Sequence, residues 1–185
     1  MKRFLTVGMT LALICAVAAT TLAAVNAITK NKIIAYEQEV VEDALSVVAK
    51  GLAIGQLNQS EDPSILEYYQ LMNASNGIEG YIVMVLGSGY GGEMTVLASY
   101  AVDGSVMAAK LLGNAETPGL GKKAEADGYM DKFIGTGGNS SPVPVKKTEL
   151  GNTDAESISG ATVTFSGIAK ALAYGSAFVT SMGGK

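Results

Sequence analysis

The fold of this chain is decided by residues 80–112, GYIVMVLGSGYGGEMTVLASYAVDGSVMAAKLL. Three apolar runs, at 80–86, 94–102 and 105–112, each have the length and composition of a β-strand. Asp103 and Gly104 form a dipeptide that two-residue hairpin turns prefer, and the glycine-rich residues 87–92 supply the other turn. The sequence therefore predicts three consecutive strands in an antiparallel meander.

Helices are predicted both before and after this meander in the sequence. Apolar residues recur at helical spacing over 30–53, and the Asp-Pro pair at 62–63 is typical of a helix start, which predicts a short helix to about Met72. Two more helices are predicted at 123–134 and at 164–182. The predicted fold class is α+β, with one twisted antiparallel sheet and helices packed on it.

The N-terminal region predicts a membrane anchor. Residues 4–28 contain no charged side chain, and a transmembrane helix needs about 20 apolar residues. A cleaved signal peptide, with a small-residue site at 25–27, is the alternative. Lys2 and Arg3 predict a cytoplasmic N-terminus. A single span would then hold the rest of the chain on the outer face of the cell membrane, which is the inner or cytoplasmic membrane.

The predicted organisation has three parts. They are a membrane anchor with a short cytoplasmic N-terminus at 1–28, a helical juxtamembrane region at 29–76 and one α+β domain at 77–185.

Composition excludes several classes of function. The chain has 13 basic and 17 acidic residues, and an acidic protein is a poor nucleic-acid binder. It has no histidine, and its one cysteine, Cys15, lies inside the apolar run. Histidine-based acid–base catalysis, cysteine-ligated clusters and disulfides within the chain are therefore excluded, no metal site is predicted, and no catalytic residue is assigned.

Two loops carry the residues that point to a ligand. The first is Glu116-Thr117-Pro118-Gly119-Leu120-Gly121, followed by Lys122 and Lys123; the second is Ser159-Gly160-Ala161-Thr162-Val163-Thr164, just before the last helix. Glycines allow close approach to the backbone, and a helix N-terminus suits a phosphate group. Each loop alone also has an ordinary interpretation, as a Pro-Gly turn and as a set of helix-capping hydroxyls.

Together the two loops resemble the FMN-binding domain of the G subunit of the Rnf electron-transport complex. The related C subunit of the sodium-translocating NADH–quinone reductase is similar. The resemblance includes the single anchor and the Gly-Tyr-Gly-Gly loop around Tyr90, and it covers about residues 80–182 well. One departure is Asn114, where many members have a histidine.

The resemblance implies an FMN-binding domain at 77–185 that carries FMN in phosphoester linkage to Thr162, attached by a flavin transferase. It implies that the chain relays electrons beside other membrane subunits of an ion-translocating ferredoxin:NAD oxidoreductase. The cofactor-binding residues that it implies lie in the two loops and the glycine-rich turn: Tyr90, Glu116, Thr117, Pro118, Gly119, Leu120, Gly121, Lys123, Ser159, Gly160, Ala161, Val163 and Thr164. Lys122 and Lys123 either favour a reduced, anionic flavin or are simply solvated.

Three other functions stay open at this point. One is a component of a sodium-translocating NADH–quinone reductase that is similar to its C subunit. The second is an anchored module that binds a phosphorylated ligand without redox chemistry, and the third is a stand-alone flavin reductase domain with a small-molecule acceptor. In every redox interpretation the chemistry must come from a bound organic cofactor, because no side chain of the chain is an obvious redox centre.

Overall fold

The computed structural model describes residues 2–138 and 141–183. Contacts divide the chain into two units, one up to Val41 and one from Glu42 onward. The first unit consists of the N-terminal part of a single helix, α1 (Lys2–Val48). The helix predicted from residue 30 thus continues the apolar segment without a break, and it ends five residues earlier than predicted.

Helix α1 is long and apolar enough to cross a membrane. Its most apolar 18-residue window has a mean hydropathy of 2.2, and none of that window is buried within the protein. The threonine hydroxyls in this part bond to carbonyls four residues earlier, as Thr20 does to Ala16 at 2.7 Å and Thr21 to Val17 at 2.8 Å. These hydroxyls are thereby satisfied within the helix, as a hydrocarbon environment requires.

The second unit is built on one five-stranded antiparallel sheet. The strands are β1 (Ala53–Asn58), β2 (Ile65–Met72), β3 (Ile78–Ser88), β4 (Glu93–Ala101) and β5 (Val106–Asn114). They lie in sequence order across the sheet, each paired with the next. The meander predicted for residues 80–112 is confirmed, and the Asp103–Gly104 turn joins β4 to β5.

The helix predicted from Asp62 to Met72 is wrong. These residues form a turn and strand β2, which pairs with β3 along its whole length. The Asp62 side chain accepts a hydrogen bond from the backbone N–H of Ser64 (2.9 Å), so it organises a turn instead of capping a helix. The region at 29–76 is therefore helical only to Val48, and the boundary predicted at residue 77 falls in the turn between β2 and β3.

The helix predicted at 123–134 is also wrong. Two separate 3-10 turns, Gly121–Glu125 and Tyr129–Phe133, occupy this segment. Gly128 has a φ of +76° between them, a left-handed conformation that an α-helix does not admit. This geometry allows Phe133 to reach the core, where its ring stacks on Phe165 at 5.4 Å.

A long C-terminal helix covers one face of the sheet. The short helix α2 (Asn152–Ser157) precedes α3 (Thr162–Gly183), which packs on β3 and β4. Phe165, Ile168 and Leu172 of α3 are fully buried in the core. Helix α3 begins at Thr162, two residues earlier than predicted, which places the whole Thr162-Val163-Thr164 segment in its first turn.

Candidate functional site

Three segments singled out in the sequence meet at the buried carboxylate of Glu116. Its Oε1 accepts a hydrogen bond from the backbone N–H of Gly91, in the turn between β3 and β4, at 3.1 Å. Its Oε2 accepts a hydrogen bond from the Thr164 hydroxyl, in the first turn of α3, at 2.8 Å. Glu116 itself opens the Pro-Gly loop and is 4% exposed. One side chain therefore holds the glycine-rich turn, the Pro-Gly loop and the start of α3 together.

Glycine is required around this carboxylate. A Cβ added to Gly121 would lie 2.2 Å from Oε2 of Glu116, and one added to Gly89 would lie 2.0 Å from Oε1. Both distances are far below van der Waals contact. Gly89 in the glycine-rich turn and Gly121 in the Pro-Gly loop thus make room for the carboxylate, a role that the sequence pattern did not reveal.

A cleft of about 540 Å³ lies at this junction, and we call it the motif cleft. Its size is typical of a small-molecule site. Its walls come from the three converging segments: Tyr90, Glu116, Thr117, Leu120, Gly121, Gly160, Ala161, Thr162, Val163 and Thr164. The structure thus brings together ten of the residues that the sequence predicts at the site.

The first turn of α3 presents uncapped donors to the motif cleft. The carbonyl of Ala161 accepts the first helical hydrogen bond, from the N–H of Phe165 at 2.9 Å, so Ala161 is the N-cap residue. Alanine has no side-chain acceptor, and by helix geometry the N–H groups of Thr162, Val163 and Thr164 have no carbonyl partner within the helix. This is the donor set that a phosphate group takes at a helix N-terminus.

The two threonines of this turn differ in their surroundings. Thr164 is 1% exposed and its hydroxyl is bonded to Glu116. Thr162 is exposed, and within the described residues its hydroxyl has no hydrogen bond. Of these two threonines, Thr162 is therefore the one whose hydroxyl an enzyme can reach from outside.

Four of the predicted cofactor-binding residues do not line the motif cleft: Pro118, Gly119, Lys123 and Ser159. Pro118 and Gly119 form the exposed tip of their loop, and Lys123 is exposed on the first 3-10 turn. The Ser159 hydroxyl accepts a hydrogen bond from the Lys147 ammonium at 2.8 Å. Lys122, which precedes Lys123 in the chain, forms an ion pair with Glu125 at 3.3 Å.

Asn114 has a positioning role that the sequence did not indicate. Its Oδ1 accepts a hydrogen bond from the backbone N–H of Glu116 (3.1 Å), and its Nδ2 donates one to Glu125 (2.8 Å). The second bond is the main reason why the pKa of Glu125 lies below its ordinary value. Asn114 thus fixes the backbone at the point where the Pro-Gly loop leaves β5.

A second, larger groove of about 900 Å³ adjoins the motif cleft. It runs beside α3, and its other walls include Pro63, Leu86 and Glu93. Thr162 and Val163 line both spaces. No sequence signal indicates this groove, because the segment at 62–72 is predicted as a helix and not as the turn and strand that bring Pro63 to its wall.

Comparison with known proteins shows which family this chain resembles. Residues 89–176 match the FMN-binding domain family. The chain is 33% identical over 173 residues to the G subunit of the Na(+)-translocating ferredoxin:NAD(+) oxidoreductase complex of Acetobacterium woodii, covering 85% of this chain and 82% of that protein.

Two further relatives are G subunits as well. The chain is 26% identical to that of the proton-translocating ferredoxin:NAD(+) oxidoreductase complex of Clostridium ljungdahlii, covering 86% of this chain and 83% of the relative. It is 27% identical to that of the ion-translocating oxidoreductase complex of Methanosarcina acetivorans, covering 92% of each.

Proposed function

Because the chain belongs to the G-subunit family of Rnf-type ion-translocating ferredoxin:NAD(+) oxidoreductase complexes, we propose that it is a membrane-anchored flavoprotein subunit that relays electrons through FMN in such a complex. The observation that carries the proposal is the convergence of the two sequence motifs on the motif cleft, within the residues that match an FMN-binding domain. The chain is an electron-transfer subunit of a translocase, with no catalysis of its own assigned.

The motif cleft fits a flavin mononucleotide. Its volume of about 540 Å³ lies within the range of small-ligand pockets. The N–H groups at the start of α3 would receive the phosphate, and Tyr90 and Leu120 supply the apolar surface that a flat aromatic ring needs. When bound, FMN supplies the redox chemistry that the side chains lack.

The attachment site is Thr162 in this proposal. Its exposed hydroxyl supports the role, and the burial of Thr164 against Glu116 speaks against the other threonine. The new Oγ–phosphorus bond replaces a bond between that phosphorus and a leaving group on the flavin donor, while the hydroxyl loses its proton. The chain has no histidine to accept this proton, so a separate flavin transferase carries out the step.

The proposed anchor is supported by the apolar helix of the first unit, and the proposed partners are supported by the relatives, which are named as subunits of a complex. Helix α1 would cross the cell membrane once, with Lys2 and Arg3 on the cytoplasmic side and the FMN-binding domain on the outer face. The partners are then other membrane subunits of the complex, together with the flavin transferase during maturation.

Flavin fluorescence in a denaturing gel tests the proposal. The full chain, produced with a co-expressed flavin transferase, should give a fluorescent band that is absent without the transferase. A chain that never carries flavin would instead favour the module that binds a phosphorylated ligand. Rapid oxidation of the bound flavin by soluble acceptors would favour a stand-alone flavin reductase.

A further inference from the structure

Among the described residues that line the motif cleft, Glu116 is the only charged one. Its side chain is 4% exposed, and both of its carboxylate oxygens accept hydrogen bonds. The ion pair found among the described residues joins Lys122 to Glu125, so Glu116 has no cationic partner there. Burying a carboxylate without a counter-charge is unfavourable, and its two neutral donors offset that cost only in part.

This arrangement places a buried carboxylate on the wall of the cleft. From it we infer that Glu116 is a positioning residue that also lowers the reduction potential of the flavin in this protein. The inference rests on the proposed function, since it requires that FMN occupies the motif cleft.

The physical reason is electrostatic. Reduction of a flavin adds two electrons, and the ring carries a negative charge unless it takes up two protons. FMN in the motif cleft would share the site with this carboxylate, and in a site of low dielectric constant a negative carboxylate would make that added charge less favourable. The exposed Lys122 and Lys123 offset it weakly, because exposed charges are screened by water and salt. The carboxylate therefore makes the flavin a stronger reductant than it would be beside a neutral side chain.

The substitution Glu116→Gln separates this charge from the positioning role. The amide oxygen of Gln accepts the N–H of Gly91, and its NH₂ group donates to the Thr164 hydroxyl, which also accepts hydrogen bonds. Both contacts of the carboxylate thus have a counterpart, and only the charge is lost. Covalent attachment through Thr162 would keep the flavin on the chain even if the fit in the cleft changed.

The experiment is a redox titration of the purified, flavin-loaded full chain followed by visible absorbance. Glu116→Gln should raise the midpoint potential, and Glu116→Asp, which keeps the charge, should stay near the wild type. Glu93→Gln is the matched control. Glu93 is an exposed carboxylate directly after the glycine-rich turn, and it does not line the motif cleft. The inference would be overturned if Glu116→Gln and Glu93→Gln had equal midpoint potentials. It would also be overturned if Glu116→Gln and Glu116→Asp raised the midpoint potential by the same amount.

A second measurement does not depend on the folding of the Gln variant. The reduced-minus-oxidised infrared spectrum of the wild type should contain a carboxylate band that Glu116→Asp displaces. A spectrum without such a band contradicts a charge next to the flavin. Absence of flavin from the wild-type chain would instead reject the proposed function, whereas bound flavin with an unchanged potential rejects only the role of Glu116.

Discussion

Replacing the two threonines of the first turn of α3 should have opposite effects on flavin content and on stability. Thr162→Ala should abolish covalent flavin while leaving the domain as stable as the wild type. Thr164→Val should retain the flavin while destabilising the domain. The reason lies in their surroundings, since Thr162 is exposed and Thr164 is buried with its hydroxyl 2.8 Å from the Glu116 carboxylate.

The size of each effect follows from the same contacts. A hydrogen bond to a charged group contributes about 1.5–3 kcal/mol, and Thr164→Val removes one from a buried carboxylate. At roughly 2–4 °C per kcal/mol for a protein of this size, the melting temperature should fall by roughly 3–12 °C. Thr162 does not cap the helix, because Ala161 is the N-cap residue. Its loss should therefore stay within about 0.5 kcal/mol.

The assay combines in-gel flavin fluorescence with thermal melting of the full chain in detergent, after expression with the transferase. Thr164→Ser, which keeps the hydroxyl, serves as the control and should restore most of the stability. Flavin on Thr162→Ala, or a folded Thr164→Val chain without flavin, would refute the assignment. Equal melting temperatures for Thr162→Ala and Thr164→Val would refute the structural reasoning.

Three further outcomes are expected. Gly121→Ala should destabilise the domain and disturb the motif cleft, because its Cβ would lie 2.2 Å from Glu116, whereas Gly113→Ala, which meets nothing within 4 Å, should melt like the wild type. Hydrogen bonds from the hydroxyl and then the backbone N–H of Ser105 lower the pKa of Asp103 from its ordinary 3.8. The contribution of Asp103 to stability is therefore present above that pH and is lost as the pH falls through the folded value, and Asp103→Asn should flatten this loss in an acid titration of unfolding. Protease added outside intact cells should digest the domain, and protection there would reject the proposed orientation.

The parts of the fold that were predictable are those where local chemistry permits one structure. Over 80–112, apolar strand segments and the Asp103–Gly104 turn both indicate the same meander. At 62–72 the signals were ambiguous, because Asp followed by Pro also begins a turn, and pairing with β3 made the segment a strand. At 123–134 the composition suits a helix, but Gly128 adopts a left-handed φ and separates two 3-10 turns.

The loops that form the site could be predicted from the sequence, but the hydrogen bonds between them could not. Residue types alone do not distinguish Thr162 from Thr164 as helix-capping hydroxyls. The distinction comes from Glu116, which lies 48 positions before Thr164 in the chain. The role of Asn114 is hidden for a similar reason, since its bond to Glu125 joins two segments that the sequence predicts as a loop and a helix.

Two features of the motif cleft are unfavourable for the protein alone. A long helix begins at Ala161, a residue type that cannot cap it, and a buried carboxylate lacks a cationic partner among the described residues. Both face the same cleft, and both involve residues within the match to the FMN-binding domain family. Local rules are most often broken where a protein binds something. A phosphate would satisfy the first feature, and the second would remain on the wall of the occupied cleft, which is why we propose that the helix start holds the cofactor and that Glu116 influences its potential.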